Sequence, residues 1–321
     1  MGIQTILHPS WFQGSTADHP YFEGWYFKMS TNDTQVPVLA VIPGIARTAG
    51  EQHAFVQVIT RERSWYVTYP YESFLAAKDS FHVSVGPNTF SLHGITLSLD
   101  HEDLHLKGTV SHLQCRPFPV SLVRPGIMGW YAYVPWMECF HGVVSTHHKL
   151  AGRLHLNDHA VDLTGAVGYI EKDWGRSFPS AWIWMQSNRF CSHEVSCMLS
   201  VARIPFLGRT FTGFLGFVSL EHRLITFATH TGAKIEQIES NDHQASVTIR
   251  TKGTRISFKA EPGASSRLVA PRQGAMERMI TESVNGKIHL TISDGKKGTW
   301  FEQTAKSAGI ELSEAQNISV G

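Results

Sequence analysis

The sequence predicts an all-β protein built as two β-barrel domains with few short helices, and three observations carry that expectation. Apolar and polar residues alternate on a two-residue beat along most of the chain. Turn-forming Gly, Pro, Asn and Asp interrupt the beat about every 8–12 positions, the rhythm of short strands in sandwiches and barrels. No long stretch keeps the 3.6-residue period of an amphipathic helix.

The elements follow in order. Residues 81–85 (FHVSV) run into Gly86, Pro87 and Asn88, and residues 90–92 (FSL) and 95–99 (ITLSL) continue the pattern. Residues 104–106 (LHL) lead through Gly108 to Val110, and the same texture returns at 246–250, 255–259 and 287–292. A short helix is expected around 276–283, and residues 233–239 fit either a helix or a strand. An internal echo suggests two copies of one architecture: GWYFKMS (24–30) resembles AWIWMQS (181–187). Each is followed by an apolar run ending in Ile-Pro, at Ile42-Pro43 and Ile204-Pro205. Reading each as the first strand of a barrel gives an N-terminal module of residues 1–177 and a C-terminal module of 178–321. A chain of 321 residues has room for both.

Composition narrows the function classes. Lys plus Arg at 28 against Asp plus Glu at 27 leaves a net charge of +1 with no basic run, so nucleic acid is not expected as a partner. Only 17% of residues are charged, which suits a protein that handles apolar molecules or touches a membrane peripherally. The N-terminus has neither a basic nor an apolar signal region, no run of about 18 apolar residues spans a bilayer, and the cysteines form no CxxC pair. A cytoplasmic protein with reduced thiols is expected. GxSxG, phosphate-loop and GxGxxG motifs are absent, which removes serine hydrolases, P-loop enzymes and Rossmann dehydrogenases.

The densest chemistry lies in residues 168–190 (GYIEKDWGRSFPSAWIWMQSNRF). In an extended strand residues i and i+2 share a face, so Tyr169, Glu171 and Asp173 point one way and Ile170 and Lys172 the other. Beyond Gly175 and Pro179, the residues Trp182, Trp184, Gln186 and Asn188 line one face. Carboxyls beside indoles and amides read as a pocket where a proton is delivered and a cation tolerated. The structural alternative is an acid neutralised by Lys172 or Arg176 at a strand end. A buried carboxyl must be hydrogen-bonded, paired or protonated, and one kept neutral can protonate an alkene.

Two further segments draw attention. In YFEGWYFK (21–28), Glu23 shares a face with Trp25 and Phe27, while Tyr26 and Lys28 take the other; a core-facing aromatic strand with Glu23 at its rim reads equally well. Residues 129–142 (GWYAYVPWMECFHG) are too aromatic for an ordinary solvent loop and suggest a lid or barrel mouth. There Glu138 and His141 form either an acid/base pair or a hydrogen bond that fixes the loop. Metal groupings of His141, His147 and His148, or of Cys191, His193 and Cys197, match no strong ligand pattern, so no metal is expected.

YFEGWYFK (21–28), YVPWMECFHGVVS (133–145) and residues 168–190 closely resemble signature segments of the tocopherol cyclase family, itself similar to carotenoid hydratases and related paired lipocalin-like proteins. The endings LVAP (268–271) and AGIE (308–311) resemble it as well, so the likeness runs from about residue 8 to 313. It implies two lipocalin-like (calycin) barrels and an enzyme that needs no cofactor. Family members protonate a double bond of a prenylated hydroquinone, and the phenol oxygen captures the carbocation to close a chromanol ring, a step of vitamin E biosynthesis. Carried over by position, Asp173 or Glu171 delivers the proton, its pKa raised by burial and by the neighbouring like charge. The matched Glu23 is a third candidate acid. Trp174, Trp182 and Trp184 offer π-faces to the cation, worth about 0.5–2 kcal/mol each. Gln186, Asn188 and His141 orient the hydroxyls, with Trp25, Tyr169 and Glu138 completing the binding residues. The polyprenyl tail requires a long apolar slot. The chain begins almost at its first motif, which reads as a compact prokaryotic-type member whose substrate is another prenylated quinol or a terpenoid. A non-catalytic carrier of an isoprenoid, or an isoprenoid hydratase or isomerase, are the competing expectations.

Overall fold

The computed structural model describes residues 2–191, 194–206, 208–221, 223–295 and 298–320. It is almost entirely β. The first large sheet is built from β1 (Tyr21–Ser30), β2 (Val38–Arg47), β3 (Gln52–Ile59), β4 (Ser64–Pro70), β5 (Phe74–Ala76), β6 (His82–Val85), β7 (Asn88–Ser91), β8 (Gly94–His101), β9 (Leu104–Leu113), β10 (Cys139–Leu156), β11 (His159–Asp162) and β12 (Val167–Gly175). The second contains β13 (Trp182–Ser187), β14 (Val195–Phe206), β15 (Arg209–Leu220), β16 (Arg223–Ala228), β17 (Lys234–Asn241), β18 (Gln244–Thr251), β19 (Thr254–Glu261), β20 (Ser266–Arg272), β21 (Ala275–Asp294) and β22 (Gly298–Ser313).

Two compact units result. One contains residues up to Phe178 together with Leu268–Met279, and the other contains Pro179–Arg267 and the chain from Ile280 onward. The end of the β20/β21 hairpin therefore groups with the first unit, although it lies in the stretch assigned by sequence to the C-terminal module. Gln57 holds it, accepting from the Val269 amide and donating to the Val269 carbonyl at 3.0 Å each.

The sheets share one wiring. Their orders are β4-β3-β2-β1-β12-β10-β9-β8-β7-β6-β5 and β16-β15-β14-β13-β22-β21-β19-β18-β17, antiparallel throughout, with β11 added to β10 and β20 to β21. In each, the first strand sits between the second strand and the last. The echoing segments are those first strands, β1 and β13, and the two Ile-Pro pairs fall in the second strands, β2 and β14.

The first sheet curls on itself. Trp25 and Phe27 on β1 pack against Phe81 at the far end of the strand order, with ring centroids 6.1 and 6.0 Å away. Phe90 and His112 extend that interior stack. An aromatic core therefore fills the inside of this unit where a tail slot was conceivable. The second core is mostly aliphatic, with Ile183, Met185, Leu199 and Leu290 fully buried beside Phe227 and Phe258.

One local expectation is corrected and one open alternative resolved. The helix expected at 276–283 is part of the long strand β21, whose exposed and buried residues alternate there, and residues 234–239 of the ambiguous stretch are strand in β17. Met276, Glu277, Arg278 and Met279 all have high helix propensity, and sheet pairing overrides it.

Candidate functional site

The candidate site forms on β12, between β1 and β10. Residues opposite one another across antiparallel strands share a face. Tyr26 and Val143 flank Glu171, and Gly24 and His141 flank Asp173. On the reverse face Glu23 and Phe140 flank Trp174, and Trp25 stands opposite Lys172. Gly175 ends the strand with φ +144°, where an added Cβ would press on the Glu138 carbonyl. That close approach keeps β10 against β12, and with it His141 against Asp173.

On the first face, four side chains form a line. The Tyr169 hydroxyl donates to Glu171 Oε2 at 2.6 Å. His141 Nε2 stands 3.4 Å from Glu171 Oε2 without hydrogen-bond alignment, and His141 Nδ1 lies 2.8 Å from Asp173 Oδ1. Tyr169 and Glu171 are buried, while the Asp173 side chain is 26% exposed and forms the open end. Burial alone would drive the imidazole toward its neutral form. The charges of Asp173 and Glu171 outweigh it and push the His141 pKa up to about 10. At neutral pH the ring is an imidazolium between two carboxylates.

This arrangement changes several expectations. The two acids were read as repelling each other, but the imidazolium between them offsets that repulsion. Neither Lys172 nor Arg176 forms an ion pair with either acid among the described residues; Lys172 pairs with Glu23 instead. Glu138 does not reach His141, whose ring nitrogens face Asp173 and Glu171. Its carbonyl accepts from the Arg176 and Ser177 amides, and partial burial raises the pKa of its carboxyl. The sequence reading paired His141 with Glu138 or set it to orient substrate hydroxyls, and missed its pairing with the acids because they lie 30 and 32 positions away, visible only through register.

His141, Glu171 and Asp173 also offer ligand atoms within 4.8 Å of one another. The ring turns a different nitrogen toward each carboxylate, a geometry that orients an imidazole rather than encloses one ion. The grouping of His141 with His147 and His148 does not form. His148 Nδ1 lies 3.0 Å from Ser145 Oγ and its ring is 4.6 Å from His112. Burial holds His148 well below the usual imidazole range and lowers His112 to about 4. His193 lies outside the described residues.

The reverse face is a second polar cluster. Lys172 Nζ lies 2.6 Å from Glu23 Oε1, with both side chains fully buried. It also donates to the Pro9 carbonyl at 3.0 Å and to the Trp11 carbonyl. Its ammonium sits 4.8 Å from the Trp25 ring and 4.6 Å from the Trp174 ring. Glu23 accepts from the Gln13 amide and the Tyr21 hydroxyl, and Trp25 Nε1 donates to the Ser10 carbonyl at 3.0 Å. Desolvation lowers the Lys172 pKa to about 8 despite the adjacent Glu23. Trp25 and Trp174, expected to bind substrate, and Glu23, a candidate acid, thus surround a resident ammonium on the face of β12 opposite Glu171 and Asp173.

Trp182, Trp184, Gln186 and Asn188 belong to the second unit. Trp182, Trp184 and Gln186 lie on the face of β13 opposite the Ile183 and Met185 core, Asn188 follows the strand's end, and all four are buried. Trp182 Nε1 donates to Glu311 Oε2 at 2.6 Å.

Similarity to known proteins identifies the fold and the family. A probable chloroplastic tocopherol cyclase from Oryza sativa subsp. japonica is 25% identical over 218 residues, covering 60% of this chain and 43% of the rice protein. The chain thus matches less than half the length of that curated relative. The solved structure of CghA superposes with a TM-score of 0.55 at 12% identity, covering 92% of this chain and 88% of CghA. A putative AttH from Nitrosomonas europaea gives 0.51 at 11% identity, covering 94% and 96%. Kievitone hydratase from Nectria haematococca gives 0.50 at 12%, covering 92% and 89%. At such identity these likenesses establish the paired lipocalin-like fold alone. Residues 120–313, which hold His141, Tyr169, Glu171 and Asp173, match the model described as tocopherol cyclase-like. Since that match spans more than half of the sequence, the chain belongs to the tocopherol cyclase-like family.

Proposed function

We propose that this protein is an acid-type cyclase that closes a ring on a prenylated phenol or hydroquinone. The observation that carries this reading is the line Tyr169–Glu171–His141–Asp173, buried at one end and open at Asp173. At rest His141 holds a proton 2.8 Å from Asp173. An apolar substrate that covers Asp173 expels water and favours the neutral partition of the pair, carboxylic acid plus imidazole. Asp173 then gives its proton to the less substituted alkene carbon, leaving a tertiary cation. The phenol oxygen attacks that cation, one C–O bond forms, and the phenolic proton returns to the carboxylate. Substrate and product are isomers, and the enzyme regains its starting charge.

The family match supports the cyclase assignment, and the match to a probable tocopherol cyclase supports a prenylated quinol as the substrate class. A second reading, hydration of an isoprenoid alkene, shares the protonation step. The partial exposure of Asp173 favours it, because water that reaches the acid also reaches the cation.

Incubation with a prenylated hydroquinone in deuterium oxide separates these readings. A chromanol carrying one deuterium on the former alkene carbon is expected, and its loss in Asp173→Asn accompanies it. A hydrate containing solvent oxygen would replace cyclisation with hydration. A lipid released chemically unchanged, by wild type and variant alike, would reduce the protein to a carrier.

A further inference from the structure

We propose that the segment between β9 and β10, residues 114–138, docks on the surface of an anionic lipid bilayer. Six large hydrophobic side chains of this one segment are exposed, four of them by more than half: Leu122 by 63%, Val123 by 87%, Trp130 by 51% and Trp136 by 63%. Exposed apolar groups clustered at this density are uncommon on water-soluble surfaces and mark sites of association.

The segment is an ordered feature. The Tyr133 hydroxyl donates to the Leu122 carbonyl at 2.5 Å, which ties its two arms together. Ser121 and Arg124 exchange backbone hydrogen bonds around the Leu122-Val123 tip at 2.9 and 3.0 Å. The apolar tip is therefore presented by a closed turn. Tryptophan and tyrosine around it are the residues whose mixed polarity suits the headgroup layer.

Charge selects the occupant. Residues 114–138 contain two arginines, no lysine or aspartate, and one acid, Glu138, at the junction with β10. Arg124 follows the apolar tip directly. Its guanidinium lies over the Phe118 ring at 5.8 Å, its Nε is buried without a hydrogen-bond partner, and no carboxylate pairs with it among the described residues. A lipid phosphate offers that guanidinium a counter-charge at the depth where Leu122 and Val123 enter the acyl region. Beneath the segment lies a cleft of about 500 Å³, walled by Leu122, Phe118, Pro9 and Val143. Val143 is the register partner of Glu171, so the cleft places the docking face close to the candidate acids. The docking inference rests on this surface and does not depend on the cyclisation chemistry.

Co-sedimentation with phosphatidylcholine vesicles, with and without phosphatidylglycerol, tests it. The protein is expected to pellet with the anionic vesicles. Arg124→Gln should lower that partition about 5-fold, and Leu122→Ser/Val123→Ser at least about 10-fold. Trp136→Ser is an independent variant, and an unchanged melting temperature shows that each still folds. Equal pelleting of wild type and the Leu122/Val123 variant would overturn the proposal, as would no pelleting of wild type. A vesicle-independent dimer that the same substitutions dissolve would also overturn it and assign the face to a second copy of the chain. Turnover of detergent-dispersed substrate that persists in the non-binding variants keeps the docking result separate from the catalytic one.

Discussion

Strand β12 carries a cation–carboxylate cluster on each face, and the two clusters handle their protons in opposite ways. On the inner face the ammonium of Lys172 is wholly enclosed, sandwiched by indoles and bonded to Glu23 and backbone carbonyls. Desolvation there lowers its affinity for the proton to about 8. On the other face His141 lies between two carboxylates and holds its proton up to about 10. The inner cluster has no open end, so its charges tie the chain segment of residues 9–13 to the strand. The other cluster ends at a partly exposed acid, where a proton can leave. The same alternation of residue types therefore yields a tether on one face and candidate chemistry on the other, and exposure decides between them.

Substitutions can break this contrast. The largest effect is expected from Asp173→Asn, which should lower turnover of a prenylated hydroquinone by about 10²–10⁴-fold in a chain that still folds. A variant that keeps full turnover would remove Asp173 from the chemistry. Lys172→Met should do the reverse, destabilising the fold by about 3–5 kcal/mol because it strands a buried Glu23. Urea unfolding measures it, and a loss under about 1 kcal/mol would mean that Glu23 finds another partner or a proton.

The pH dependence of stability sharpens the contrast further. His141 has a folded pKa above its unfolded value, so its contribution is complete below about pH 6.5. It fades as pH rises through about 10. Lys172 has the opposite sign: its folded pKa is lowered from 10.5 to about 8, so the unfolded chain binds the extra proton and stability rises across that interval. His141→Asn should remove the falling limb, and Lys172→Met/Glu23→Leu the rising one. Identical pH profiles in wild type and His141→Asn would show that the imidazole carries no such linkage. The smallest effect belongs to Tyr169→Phe, which deletes one buried hydrogen bond to Glu171 and should cost about 1–2 kcal/mol. No measurable loss would mean that the hydroxyl stabilises nothing there.

Much of the β architecture was legible because strand alternation is local. The shared face of Tyr169, Glu171 and Asp173, and the equivalence of β1 and β13, could be read directly from residue spacing. The partners of those acids could not. His141 meets Asp173 only through the β10/β12 register, and that pairing is shifted by irregularities between Val143 and Ser145 and between Ser145 and His148. No local pattern specifies such shifts. The resemblance carried Trp174 over as a π-face for the substrate cation, but neighbours along a strand point to opposite faces, and Trp174 lies against the Lys172 ammonium, opposite Asp173. The Glu23–Lys172 pair joins residues 149 positions apart, and sequence shows each only as a charged residue in an apolar strand. The helix expected at 276–283 failed because local propensity says nothing of the pairing that draws those residues into β21.

The return of Leu268–Met279 to the first unit has a practical consequence for anyone wishing to divide the protein. A fragment ended at Phe178 would lack the strand that satisfies the Gln57 amide, as well as the Pro271 carbonyl that accepts from the Phe178 amide. A faithful excision would keep residues 2–178, bridge the gap with a short artificial linker and resume at 268. Truncation at one point therefore cannot yield either unit intact.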